Sequence, residues 1–330
     1  MAQKFRIGVI NPNWGFLSGE KTMHRWAEVF IRDYAEVLSY EEAKTYDGDA
    51  VICLNGRPDL KENHPPKEFK GLKAVHLMDH TFQVQRTRKV LKEHEIEMLL
   101  AYNEHDLFDP FFQHFYPDYI GKVIPVPFGF NDKRFWQIGF NTWKWRVNKV
   151  AAFGAVNPVS DPLCIADIKD YAEFNKHEEF THKWRRQLFM NKAFLASELD
   201  SFFPEWPKTK DFDYDIVQAY NQYKMFTTCE SIMFYPSVKT FEGMACGSVF
   251  VASDHPCYDK IGLMDGVNCI KHKQYSIEDF KEKVNYYQEH EDELAVIAEN
   301  GIKFVNEFYR PDKIALNLYT KLTQYAGHEL

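Results

Sequence analysis

The chain lacks the features of membrane proteins and of disulfide-stapled proteins. No run of apolar residues approaches the roughly 20 that a membrane-spanning helix needs. Only six cysteines occur in 330 residues, and none of them forms a C-x-x-C pair or a metal-ligand spacing. Because Met1–Arg6 leads directly into a predicted strand, we expect no cleaved signal peptide. The sequence therefore predicts a protein without a membrane span, with reduced cysteines and a cytoplasmic location.

The chain has fewer basic than acidic residues. The chain has 40 lysines and arginines against 48 aspartates and glutamates, a formal net charge of −8. A protein with a broad footprint on a phosphate backbone more often has a basic face, so the composition weighs against that class. A local basic cleft stays compatible, because net charge does not report how the charges are distributed. With 45% hydrophobic and 16% aromatic residues, the chain can fill the cores of two ordinary domains.

A dinucleotide-binding fingerprint is also missing, because the loop after the first predicted strand, residues 11–19, does not read G-x-G-x-x-G. Strands nevertheless alternate with helices through the first half of the chain. The predicted strands there are Lys4–Ile10, Asp49–Leu54, Lys73–Leu77, Met98–Tyr102 and Lys122–Val126. This alternation predicts an α/β protein whose parallel sheet is covered on both faces and binds ligands beyond the carboxyl ends of its strands. A restart at the strand Lys149–Phe153 predicts a second sheet of the same kind.

The segment Met225–Asp254 is the most informative stretch of the sequence. It predicts a strand, a loop, a helix over Val238 to Cys246 and a buried strand. Lys239 and Glu242 lie three residues apart and share one face of that helix. The pair suits a nucleoside diphosphate, because the helix N-terminus and the lysine can hold phosphate while the glutamate binds ribose hydroxyls. The alternative is an ordinary solvated helix face.

This segment resembles the donor-binding segment of GT-B glycosyltransferases, which have two Rossmann-like domains facing across a cleft. The resemblance rests on Thr-Phe-Glu-Gly-Met-Ala-Cys-Gly-Ser-Val-Phe-Val-Ala-Ser-Asp, residues 240–254. The run Lys-Thr-Phe-Glu, residues 239–242, further resembles the Arg/Lys-x-x-Glu loop of spore-maturation-type glycosyltransferases and of the phage DNA β-glucosyltransferase. The resemblance implies an acceptor domain over residues 1–135, a nucleotide-sugar domain over 148–308 and a final helix, 309–330, that packs back on the first domain.

The resemblance also implies how the donor is bound. It implies a nucleotide-diphosphate sugar, most simply of the UDP type, held by helix termini and basic side chains without a metal or another cofactor. The implied donor-binding residues are Gly154, Arg185, Arg186, Lys224, Lys239 and Glu242. The two adjacent arginines could alternatively be surface residues of a helix. The aspartates at 211, 213 and 215 superficially match a metal-binding Asp-x-Asp motif, but capping of the next helix explains them more simply.

On the acceptor side, the resemblance implies that Asp79 is the general base, because it follows an apolar first-domain strand as the base of the phage enzyme does. An ionised carboxylate in an open site suits that role. Many retaining members have two glutamates with seven residues between them, whereas this chain has Phe234 at the first position. Two alternatives stay open: an aspartate that caps the next helix, and a retaining enzyme whose histidines only contact the sugar. The implied acceptor or sugar contacts are Asn13, Gly15, His76 and His80.

The function that follows is a metal-independent glycosyltransferase that moves a sugar from a nucleotide-diphosphate sugar to an acceptor hydroxyl. The acidic composition favours a saccharide, a lipid-linked glycan or a protein as acceptor. A hydroxymethylated DNA base is the alternative acceptor, which the lysine–glutamate donor loop keeps open. Two readings from other classes are a sugar-nucleotide epimerase of the same fold and a binding module without catalysis.

Overall fold

The structure is a computed structural model that describes residues 5–17, 22–60, 62–139, 143–154, 169–174, 183–202, 215–230 and 235–327. The chain forms two compact units. Unit 1 comprises Met1–Phe128, Pro162–Glu178 and Pro311–Leu330, and unit 2 comprises Gly129–Asp161 and Glu179–Arg310. No described helix is both long enough and apolar enough to span a membrane.

Unit 1 contains a parallel sheet of six strands in the order β2-β1-β3-β4-β5-β6. The strands are β1 Ile7–Ile10, β2 Ala35–Leu38, β3 Ala50–Cys53, β4 Leu72–His76, β5 Met98–Ala101 and β6 Val123–Pro125. Strand β2 was not predicted, because it lies at the sheet edge, where two of its four residues are exposed and two are partly buried. Strands β1, β3, β4 and β5 are buried and mostly apolar, as expected for strands covered by helices on both faces, and β6 at the other edge is partly buried.

Helices surround this sheet. The described helices of unit 1 are α1 Trp14–Leu17, α2 Arg25–Tyr34, α3 Tyr40–Lys44, α4 Val84–Glu93, α5 His105–Phe108, α6 Pro110–Phe115, α7 Lys169–Phe174 and α14 Pro311–Tyr325. Helix α14, the last of the chain, packs against α2. Its buried residues Ile314 and Leu318 join Trp26 and Phe30 in the core of unit 1. The apolar face of the last helix is therefore covered by the first unit.

Unit 2 contains a parallel sheet of five strands in the order β11-β10-β9-β7-β8. The strands are β7 Val147–Phe153, β8 Leu199–Phe202, β9 Tyr223–Thr227, β10 Val249–Ser253 and β11 Ile270–His272. The described helices are α8 Lys183–Met190, α9 Ile216–Gln222, α10 Val238–Ala245, α11 Pro256–Lys260, α12 Ile277–Glu289 and α13 Glu291–Phe308. The strand order reverses between β7 and β9, and open α/β sheets bind ligands at such a point.

The two units differ from the predicted residue ranges in two places. Helix α7 lies in the range assigned to the second domain but belongs to unit 1, because the rings of Tyr171 and Phe174 pack on Phe111 of α6 at 5.1 and 5.4 Å. Residues 129–135 lie in the range assigned to the first domain but belong to unit 2, where Phe135 packs on Tyr220 at 6.2 Å. In both places the residues pack through aromatic contacts within their unit, and the sequence pattern near them does not predict those contacts.

Helix α10 forms where the sequence predicts it. Ser237 occupies the N-cap position with extended backbone, and its hydroxyl makes no capping hydrogen bond. Gly243 lets the helix approach β9, since a Cβ there would stand 2.5 Å from the ring of Phe226. Gly247, at φ +78°, follows the helix and allows the turn into β10.

Only Asp215 of the predicted Asp-x-Asp run lies within the described residues. Its carboxylate accepts hydrogen bonds from the backbone N–H groups of Val217 and Gln218 at 2.9 and 3.3 Å, so it caps α9. The capping role predicted for this aspartate is confirmed. Residues 211–214 of the run lie outside the described part of the chain.

Candidate active site

Two cations lie together at the carboxyl edge of the sheet in unit 2. Arg185 is on α8, and only 7% of it is exposed. Lys239 is the second residue of α10. Burial lowers the pKa of Lys239, and the positive charge of Arg185 lowers it further. Two like charges held in a partly desolvated place raise the free energy of the protein until an anion arrives.

Gly154 makes room for the arginine. It follows β7 with φ +123°, and a Cβ at this position would stand 2.3 Å from Nε of Arg185. The guanidinium therefore lies across the Cα of the glycine, where no other residue would fit. Its Nη2 donates to Oγ1 of Thr228, just beyond β9, at 3.4 Å. This contact ties the ends of the two strands that flank the reversal of strand order.

The charges of both cations act on the pKa of the Cys229 thiol. Burial raises the pKa of Cys229 to about 11, and the charges of Arg185 and Lys239 oppose that rise. The charge of Glu242 acts on the pKa of Lys239 in the opposite sense to the charge of Arg185. The two cations lie next to the N-terminus of α10, a place that favours anions.

Glu242 lies one turn further along α10 and is buried. Burial raises the pKa of its carboxyl to about 7, against the charges of Lys239 and Arg134. A carboxyl group with this pKa titrates near neutral pH and can accept hydrogen bonds from hydroxyl groups when ionised. Arg134 was not predicted as a site residue. Its position in the segment after β6 gives no local signal that it lies near a glutamate 108 residues away.

Lys224 is a predicted donor residue that the structure places away from Gly154, Arg185 and Lys239. Lys224 lies near the start of β9, at the edge of the sheet opposite Gly154. Its Nζ is 2.6 Å from Oε2 of Glu291 and 5.7 Å from the ring centre of Trp143, which accounts for its burial. Lys224 is therefore not brought together with Lys239, and we leave it out of the proposed donor site. Arg186 follows Arg185 on α8 and is partly buried.

At the carboxyl edge of the sheet in unit 1, Asp79 follows β4 and is partly buried. The backbone carbonyl of Asp79 accepts from the N–H of Phe82 at 3.0 Å. Helix α4 begins at Val84, and its N-cap residue is Gln83. The aspartate is therefore four residues before the N-cap, and the alternative that it caps α4 is wrong.

His76 and His80 are both buried, at 1% and 0% exposure. His76 packs among the rings of His24, Trp26 and Tyr102 at 5.3–5.7 Å, and burial lowers its pKa to about 4. It is a neutral core residue. Nε2 of His80 is 2.7 Å from Oδ2 of Asp109. Because neither ring reaches the surface, we leave both out of the proposed acceptor edge.

Asn13 and Gly15 are exposed beyond β1. The strand order of unit 1 reverses between β1 and β3, so a ligand of this sheet is expected there. The side chain of Asn55, after β3, accepts from the N–H of Asn13 at 2.9 Å and donates to the carbonyl of Asn11 at 3.0 Å. Asn55 ties the two strand ends together and was not predicted from the sequence.

Part of the chain, 145 of its 330 residues, matches a family model. Residues 176–320, which include Arg185, Lys239 and Glu242, match the model of a family described as glycosyl transferase-like. The chain has the GT-B fold. The predicted fold class and enzyme class are thereby confirmed.

Solved structures share the fold of this chain at low sequence identity. HepE of Anabaena in complex with UDP is 12% identical, with a TM-score of 0.56, over 97% of this chain and 100% of that one. Sucrose-phosphate synthase from Thermosynechococcus elongatus is 10% identical, with a TM-score of 0.56, over 98% and 99%. An alpha-glucosyltransferase in complex with UDP-glucose and DNA containing an abasic site is 10% identical, with a TM-score of 0.52, over 96% and 98%. A search of curated proteins gave no sequence match.

Proposed function

We propose that this glycosyltransferase transfers a hexose or pentose from a nucleoside diphosphate sugar, of the UDP type, to an acceptor hydroxyl. The observation that carries the proposal is the pair of cations, buried Arg185 and half-buried Lys239, near Gly154 at the end of β7. A diphosphate carries the negative charge that two such cations bind. UDP bound to HepE, a structure with the same fold, supports the choice of base.

The cations have a chemical role when the diphosphate departs. Breaking the glycosidic bond leaves a negative charge on the diphosphate, and groups fixed in place stabilise that charge most effectively. Arg185 presents a planar fork that matches two phosphate oxygens, and Lys239 adds a point charge. The N-terminus of α10, where the side chain of Ser237 makes no capping hydrogen bond, adds the positive end of the helix dipole. We propose that these groups together serve without a divalent cation at the donor.

Glu242 is proposed to hold the ribose. An ionised carboxylate accepts two hydrogen bonds from neighbouring hydroxyl groups, and a charged acceptor makes such bonds stronger. Its pKa of about 7 places it at the edge of ionisation near neutral pH. Arg134, whose charge opposes the rise of that pKa, is proposed to keep the carboxylate ionised when the donor is bound.

Asp79 is proposed as the general base. It would accept the proton of the acceptor hydroxyl while the hydroxyl oxygen attacks the anomeric carbon and the diphosphate leaves, which inverts the configuration at that carbon. Its partly exposed position after β4 suits a residue that meets an acceptor. Asn13 and Gly15, at the reversal of strand order in unit 1, are proposed as acceptor contacts. The proposed acceptors are saccharides, lipid-linked glycans and proteins.

One observation favours a second acceptor, a hydroxymethylated base in DNA. Helix α4, which follows Asp79 closely, carries four exposed cations within ten residues: Arg86, Arg88, Lys89 and Lys92. This is a local basic face on an acidic protein, and phosphate backbones bind such faces. An alpha-glucosyltransferase of the same fold has been solved in complex with UDP-glucose and DNA containing an abasic site.

Calorimetry with nucleoside diphosphates tests the donor proposal. The parent should bind UDP equally well with and without EDTA, and Lys239→Ala should weaken binding by about 1.5–3 kcal/mol, the scale of a hydrogen bond to a charged group. Lys303→Ala is the matched control, because Lys303 is an exposed lysine of the same unit, on α13. Equal binding by the parent and Lys239→Ala would refute the assignment of the donor site.

A further inference from the structure

Three side chains that can ligate a metal converge inside unit 1. His80 follows β4, His105 is the first residue of α5, and Asp109 lies between α5 and α6. One ligand atom from each lies within 4.8 Å of the others. The shortest separations are 2.7 Å, between Nε2 of His80 and Oδ2 of Asp109, and 3.6 Å, between Nδ1 of His105 and the same oxygen. All three side chains are at most 3% exposed.

Their surroundings are apolar and aromatic. The ring of His80 lies 6.0 Å from that of Phe111 and 5.5 Å from that of Phe112, and the ring of His105 lies 6.1 Å from that of Phe112. A carboxylate in such a place costs free energy unless a cation compensates it. A proton shared with a histidine supplies one positive charge, and a divalent ion supplies two. The cluster thus has both the ligand atoms and an electrostatic reason to take up a cation.

The ligands are held in orientation by the surrounding backbone. Oδ1 of Asp109, the oxygen that faces away from His80, accepts from the N–H groups of Phe111 and Phe112 at 2.9 and 3.2 Å. The hydroxyl of Tyr116 donates to the backbone carbonyl of His80 at 2.9 Å. Outer contacts of this kind fix ligands in metal sites and are needed for full affinity.

We propose that His80, His105 and Asp109 form a binding site for a divalent transition-metal ion, with Zn²⁺ the best match to two imidazoles and one carboxylate. The ion would replace the proton between His80 and Asp109, and those two atoms would separate to about 3.3 Å, as tetrahedral zinc requires. One coordination position is left for water. The site lies in unit 1 and is distinct from the proposed donor site. It would hold the segment that contains Asp79.

Metal titration of the whole protein tests this proposal. Protein stripped with a chelator would be titrated with Zn²⁺ by calorimetry and with Co²⁺ by visible absorption. Asp109→Asn keeps an oxygen that can cap α6 but removes the anionic ligand. His105→Phe keeps a buried ring but removes its ligand nitrogens. His114→Gln, which removes an exposed histidine from α6, is the control.

We expect the parent and His114→Gln to bind one equivalent of Zn²⁺ and to give the visible bands of four-coordinate Co²⁺. Asp109→Asn and His105→Phe should bind at least about tenfold more weakly. Absence of binding to the parent, or equal binding by all four proteins, would show a hydrogen-bonded cluster without metal and overturn the proposal. If His105→Phe does not fold, the Co²⁺ spectra of the parent and Asp109→Asn decide the question.

Discussion

The guanidinium of Arg185 lies so close to Gly154 that a Cβ on the glycine would stand 2.3 Å from Nε. Gly154→Ala should therefore displace the arginine and weaken UDP binding at least about tenfold, while the positive φ adds strain of about 1–3 kcal/mol to the fold. Calorimetry measures the change in UDP affinity, and urea unfolding measures the change in stability.

Gly121→Ala is the control for strain alone. Gly121 also has positive φ, at +76°, but a Cβ there would meet nothing within 4 Å. This variant should lose stability and keep UDP affinity. If Gly154→Ala binds UDP as Gly121→Ala does, the arginine does not need the space that the glycine provides.

Glu242 should make stability depend on pH. Its pKa in the folded protein is about 7, above the ordinary value of 4.5, because it is buried. Between those values the folded state holds more protons than the unfolded state, so stability falls as the pH rises from 4.5 to 7. On going from pH 5 to pH 8, the parent should lose about 1–3 kcal/mol relative to Glu242→Gln. Urea unfolding at both pH values measures the difference. Glu299→Gln, at an exposed glutamate, is the control and should lose as much stability as the parent. If Glu242→Gln also loses as much stability as the parent, the raised pKa does not belong to Glu242.

The contribution of His76 to folding stability should change with pH in the opposite direction. Burial lowers its pKa to about 4, below the ordinary value of 6.5, so protonation opposes folding. Its contribution is present above pH 6.5 and is lost as the pH falls toward 4. His76→Phe keeps an aromatic ring in the cluster but cannot be protonated, so its melting temperature should fall less than that of the parent between pH 7.5 and pH 5. His114→Gln should behave as the parent does, and an equal fall in His76→Phe would mean that this ring is not buried.

The sequence predicted local elements well and side-chain environments poorly. Helix α10 and the strand before it carry their own signals, a breaker at Pro236 and a run of buried residues. Lys224 was assigned to the donor because of its place in the sequence, but its position along β9 puts it at the opposite edge. His80 is turned inward by Asp109, a residue 29 positions away. Such long-range pairings, like that of Arg134 with Glu242, leave no periodic pattern.

The last prediction concerns the proposed base. Asp79→Asn keeps the size of the side chain but removes its ability to accept a proton. Because Asp79 does not occupy the N-cap of α4, the variant should fold and should bind UDP as the parent does, while sugar transfer falls roughly 10²–10⁴-fold. Initial rates with a UDP-sugar, together with calorimetry of UDP, separate the two effects. Asp118→Asn, at an exposed aspartate of unit 1, is the control and should keep both activities.

The outcome also distinguishes two mechanisms. A base is needed when the acceptor oxygen attacks from the face opposite the leaving group, so loss of transfer with intact UDP binding supports inversion. If Asp79→Asn transfers sugar near the parental rate, the carboxylate does not remove the acceptor proton. The enzyme would then be read as retaining, with the departing diphosphate on Arg185 and Lys239 as the remaining proton acceptor. The anomeric configuration of the product, read by NMR, would distinguish the two mechanisms directly.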